Sequence, residues 1–188
     1  MKFIALTLLL QLCCLSRILA ASFSFHLLGD PNNLDPALIR GSAGSYLYAN
    51  IYRSLYRYTT SEGLIPEGAK SCQWSSKLTL SCQLNPEIKW SNGKVVVASD
   101  YVRAWRRLVD PKVKTVRSEL LLNIKNASAI LTGKKTSQSL GVTATSPSTL
   151  VIDFEKPDPE FIYKMTDPAL APLLSTDFPK HQEAFKLI

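Results

Sequence analysis

Cys72 and Cys82 stand equidistant from residue 77 in the run SCQWSSKLTLSCQL. Two strand-like runs flank Ser75-Ser76-Lys77, so the segment reads as a hairpin with the cysteines directly opposite on one face. Their Cβ atoms would lie roughly 4.5 to 5.5 Å apart, close to disulfide geometry. In an oxidising compartment a bond is expected, the alternative being two reduced, partly buried thiols. Two cysteines alone do not complete a zinc shell, so no metal is expected. His26 and His181 have no ligand or base partner at a recognisable spacing. Gly133-Lys134-Lys135-Thr136 is not a phosphate loop, because Ser128 occupies the position of the first glycine and a helical pattern, not a strand, precedes it. Asn126-Ala127-Ser128 is a glycosylation sequon, a triplet common by chance. The carboxylates form no evident acid/base pair. Neither catalysis nor a cofactor is expected.

Two further groups belong to helical patterns. Tyr48, Tyr52 and Tyr56 form a row beside Leu47, Ile51 and Leu55, within a helix expected over 42–56. The row reads as core packing with hydroxyls reaching the surface, or alternatively as the lining of a ligand groove. Arg103, Arg106 and Arg107 fall in a helix read over 99–109 and suggest a solvated face. Ser99 is the expected N-cap of that helix, Asp100 suits its first turn, and Asp110-Pro111 stops it.

Other elements must hold these groups. Residues 22–28, SFSFHLL, alternate as a strand, which Gly29-Asp30-Pro31-Asn32-Asn33 breaks. Asn92-Gly93 marks a tight turn before a short extended run over 94–97. A second helix is expected over 118–131, ended by Gly133. Residues 149–154, TLVIDF, read as a strand, and a short helical piece follows near 160–165.

The start of the chain has the layout of a secretory signal peptide. Lys2 precedes an apolar run, and the small Ala20 and Ala21 mark a cleavage zone, giving a leader over 1–21. Lipidation at Cys13 or Cys14 is the rival reading, but Leu12 occupies a position that is normally small. Loss of Lys2 and Arg17 with the leader takes the net charge from +7 to +5. That excess is spread along the chain, which argues against nucleic-acid binding. With 46% hydrophobic and 20% charged residues, the 188-residue chain is globular in composition, not disordered, fibrous or membrane-spanning several times.

Several blocks in order resemble one family. They are Asn33-Leu34-Asp35-Pro36-Ala37, the run 51–58 (IYRSLYRY), the run 63–71 (GLIPEGAKS) followed by Trp74, and the run 88–94 (IKWSNGK) followed by residues 98–102 (ASDYV). Arg107-Leu108-Val109-Asp110-Pro111, Ile124-Lys125-Asn126-Ala127, Leu140-Gly141-Val142, Thr149-Leu150-Val151-Ile152 and Lys156-Pro157 complete the series. Together they resemble the N-terminal part of the bacterial extracellular solute-binding proteins of family 5, the peptide-binding components of uptake transporters. Val97 stands where the family usually has a threonine cap, and the cysteine pair is not a general family feature.

The resemblance implies an α/β fold, α+β mixed in detail: part of a type II periplasmic-binding-protein-like fold. It implies an incomplete first lobe carrying the extra N-terminal subdomain. The expected division is 22–41 for the first strand and loop of the main lobe, 42–150 for the subdomain and 151–188 for the return, with the second lobe absent. The resemblance further implies a periplasmic, monomeric protein that binds a peptide between lobes and delivers it to an ABC permease in the inner membrane. Leu28, Gly29, Asp30, Asn32 and Asn33 would present a backbone edge to the peptide, with Tyr46 and Asn50 beside them. The alternatives are a truncated remnant that binds nothing and a small periplasmic interaction module.

Overall fold

The computed structural model describes residues 24, 26, 35–38 and 41–174. The leader, most of the strand expected over 22–28 and the last residues of the expected return lie outside the described residues.

The centre is an antiparallel sheet built on the cysteine hairpin. Strand β3 (Ala69–Ser76) pairs with β4 (Thr79–Leu84), and Cys72 faces Cys82 in register. The two are joined by a disulfide across a Cα–Cα distance of 4.0 Å. A register shift between Trp74 and Ser76 moves the turn to Lys77-Leu78, just past the expected centre. Replacing both cysteines by serine should lower stability by about 2 to 3 kcal/mol, through the lost restriction of the unfolded chain. Thiol titration of the unfolded protein freed of its leader, and so of Cys13 and Cys14, should find no free thiol; two titrating thiols per chain would refute the bond.

Strand β4 also pairs with β6 (Thr149–Asp153), and β6 with β5 (Val142–Ser146), giving the order β3-β4-β6-β5. Alternation turns Leu80, Cys82, Leu84, Leu150 and Ile152 inward, all essentially buried. The expected boundary between residues 150 and 151 falls inside β6. A smaller sheet, β1 (Tyr56–Thr59) with β2 (Gly63–Pro66), leads into β3.

Helix α2 (Ala98–Leu108) packs against β5 and β6, burying Tyr101, Val102, Ala104, Trp105 and Leu108. Trp105 meets Phe161 of the short helix α4 (Phe161–Lys164) edge-on at 5.9 Å between ring centroids. Phe161 meets Phe154 at 5.0 Å, and Phe154 meets Trp74 at 5.2 Å. This file of rings ties helix to hairpin. Trp74 closes the file at its rim, 38% exposed.

Four expectations are corrected. Helix α2 starts one residue earlier than read, with Val97 at its N-cap and not Ser99. Valine has no acceptor, so the Asp100 carboxylate reaches back to accept the Val97 N–H at 3.1 Å. Helix α1 (Gly41–Ile51) stops before Tyr56, which opens β1. Its continuation is captured by tertiary bonds, Gly68 and Ala69 donating to the carbonyls of Ser54 and Leu55. Gly68 is required there, since a Cβ would come within 2.2 Å of the Tyr101 hydroxyl.

The helix expected over 118–131 is divided into a 3-10 turn, Val116–Leu121, and helix α3 (Ala127–Leu131). Between them Ile124 bridges to Phe154, the Lys125 N–H donates to Asp153 at 2.8 Å, and Asn126 turns to φ +69°. Nor are the arginines of α2 merely solvated. Arg107 grips Asp35 through two hydrogen bonds of 2.9 and 2.5 Å, and Arg103 donates to Asp100 and to the Leu173 carbonyl. The Asn92-Gly93 turn forms as read, with Gly93 at φ +82°.

Candidate functional site

Leu28, Gly29, Asp30, Asn32 and Asn33 lie outside the described residues. The chain that follows them is firmly seated. Asp35 is 7% exposed and, besides Arg107, accepts the Ala37 N–H at 3.0 Å. The Thr115 hydroxyl donates to the Ala37 carbonyl at 2.5 Å. A carboxylate with a bidentate guanidinium partner is a geometrically exacting joint. It fixes the entry to α1 against the C-terminal turn of α2.

Tyr46 and Asn50 come together on the outer face of α1, one turn apart and both exposed. The Asn50 side-chain amide donates to the Tyr46 carbonyl at 2.7 Å, so this donor is spent on its own helix. The opposite face carries the tyrosine row, and there the packing reading holds for Tyr48, which is fully buried. Tyr52 stacks on Tyr48 at 5.6 Å with rings 11° from parallel.

Tyr52 also lines a groove of about 350 Å³ between the end of α1 and the Asn-Gly turn, with Ile51, Arg53, Lys89, Trp90 and Pro172. That hollow was not legible in the sequence; only the groove alternative for the tyrosine row pointed towards it. The Trp90 indole is held by donating to Asp100 at 3.1 Å, and Arg53 by donating to Glu67 at 2.5 Å. The groove therefore has fixed aromatic and apolar walls and a cationic rim, a shape for non-covalent capture. No group of three or more His, Cys, Asp or Glu able to hold a metal exists among the described residues.

Burial pushes the Tyr52 hydroxyl up from 10.0 to about 12, with Asp35 adding to the rise and Arg107 opposing it. Burial also raises Tyr48, with Tyr52 and Asp35 adding. The unfolded chain therefore releases these protons first as pH rises, and the folded state loses stability above about pH 10. The slope should reach about 1.4 kcal/mol per pH unit for each such tyrosine. Urea midpoints measured between about pH 9 and 11 should fall, and fall less steeply in Tyr52→Phe. A level or rising midpoint over that range would contradict the assignment.

The model of the bacterial extracellular solute-binding proteins, family 5 Middle, matches residues 63–187. The chain is 33% identical over 139 residues to the periplasmic murein peptide-binding protein MppA of Escherichia coli, covering 73% of this chain and 26% of that protein. It is 34% identical over 149 residues to the periplasmic oligopeptide-binding protein OppA of Haemophilus influenzae, covering 77% and 27%. The crystal structure of Haemophilus influenzae OppA in complex with RPPGFSPFR superposes with a TM-score of 0.73 at 33% identity, over 77% of this chain and 29% of that one. The chain thus spans under a third of the length of these relatives.

Proposed function

The chain belongs to the bacterial extracellular solute-binding proteins of family 5, and from that premise we propose that it serves in peptide capture for an ABC-type oligopeptide or dipeptide importer. Capture is non-covalent, and the captured peptide passes to the permease in the inner membrane. On this reading the protein is exported to the periplasm through its leader and acts as a monomer. Leu28, Gly29, Asp30, Asn32 and Asn33 offer backbone groups to the peptide by strand addition, and Tyr46 and Asn50 flank it. The observation that best supports the reading is the superposition on a peptide-bearing relative. Beside it stands the Arg107–Asp35 joint, which anchors the chain immediately after the proposed contact segment.

The test is to purify the exported protein natively and release bound material into a mass spectrometer. Co-purified peptides, with saturable rebinding of a mixed tripeptide library, are the expected result. A folded protein without peptides and without rebinding would overturn the proposal and favour the non-binding remnant.

A further inference from the structure

We propose that the outer face of α2 carries a site for a small oxyanion, separate from the groove beside α1. Ser99, Val102, Arg103, Arg106 and Asp110 recur at three- and four-residue intervals and so form one stripe along the helix and its exit. That stripe and the segment around Ser137 and Gln138 enclose a groove of about 520 Å³. The groove adjoins a second hollow of about 410 Å³ through the shared Asp110, Ser137 and Gln138, where Lys112 and Lys135 stand.

Charge and hydrogen bonding distinguish the three arginines. Arg107 is matched by Asp35 and Arg103 by Asp100. Among the described residues Arg106 has no carboxylate within salt-bridge distance, and its one hydrogen bond goes to a neutral acceptor, Gln138 Oε1, at 3.0 Å. Its Nε–H is buried and meets no acceptor among the described residues. The Nε–H lies too deep for a ligand to reach, but the rest of the guanidinium lines the groove with its charge unmatched, and it is these N–H groups that an anion would meet. The Gln138 bond fixes the guanidinium plane and so lowers the ordering cost of a ligand. Ser99 and Ser137 add hydroxyl donors on either wall. With Lys112 and Lys135 against Asp110, the joined hollows are net cationic around Arg106. A planar guanidinium flanked by hydroxyls and ammonium groups suits the oxygens of a phosphate or a carboxylate.

Inorganic phosphate is the probe, titrated calorimetrically into the purified protein at fixed ionic strength. Saturable one-to-one binding is expected, weakened about tenfold by Arg106→Gln and unchanged by Lys70→Gln on the exposed edge of β3. Should Arg106→Gln fail to fold, Gln138→Leu removes the tether and should weaken phosphate several-fold. Competition by methyl phosphate without competition by acetate assigns a phosphate ester as the ligand class; effective competition by acetate assigns a carboxylate. Absence of saturable binding, or affinity unaltered in whichever of the two variants folds, would overturn the site.

Discussion

Asp100→Ala is expected to destabilise the protein by about 3 to 5 kcal/mol, the range for breaking a buried ion pair from one side. The Asp100 side chain is 6% exposed, while Arg103 is 34% exposed, so the ion pair alone would contribute less. The larger share comes from donors left behind. The Val97 N–H and the Trp90 indole N–H each end on Asp100 Oδ2 at 3.1 Å, and Arg103 on Oδ1 at 2.9 Å. Removing the carboxylate leaves two partly buried donors unmet, uncaps α2 and releases Trp90 from the wall of the groove beside α1. Asp100→Asn keeps the shape and one acceptor oxygen, so its loss should be about half. Urea unfolding followed by tryptophan fluorescence measures both; an Asp100→Ala midpoint within experimental scatter of wild type would refute the role.

Trp105→Ala should cost about 4 kcal/mol. Trp105 is fully buried, and truncating a core aromatic leaves a cavity that the surroundings fill only in part. Its indole N–H donates to the Leu170 carbonyl at 2.9 Å, so the substitution also strands an acceptor. Because Trp105 heads the file Phe161, Phe154 and Trp74, the loss should loosen the contact between α4 and the hairpin. Trp105→Phe, which refills most of the volume without the N–H, should retain about half of the lost stability. Equal loss in both variants would mean that the hydrogen bond, not the packing, dominates.

What could be read from the chain follows a physical division. The cysteine hairpin, the strand over 149–153 and helix α2 were legible because local period and burial agree there. Leu80, Cys82 and Leu84 alternate, and the apolar residues of α2 keep to one stripe. The failures occur where a distant segment captures the backbone. The period that joins Tyr52 to Tyr56 is genuine, yet Gly68 and Ala69 take the carbonyls a longer helix would need. Likewise Leu120, Ile124, Ala127 and Leu131 keep a helical spacing, but Phe154 and Asp153 claim Ile124 and Lys125 in the middle of it. Strands β1, β2 and β5 do not alternate in burial from residue to residue as β6 does, so no period of two marks them. Of the proposed ligand contacts, Tyr46 and Asn50 fall together because they are one turn apart. The groove joining Tyr52 to Trp90 and Pro172 depends on contacts remote in sequence, which no local pattern encodes.

The strand order has a consequence in time. Strand β4 must wait for β6, and Thr79 bonds to Asp153 across a separation of 74 residues. As the chain emerges from its N-terminus, the β3–β4 hairpin can close early, its cysteines already opposed, while its inner edge stays open. Helix α2 then appears before the strands it covers, and the sheet is completed only once Asp153 has followed the hairpin into the same oxidising compartment. Pairing at such separation is slow and leaves unpaired edges exposed meanwhile. An early Cys72–Cys82 bond would hold the nascent hairpin in its final register throughout that wait.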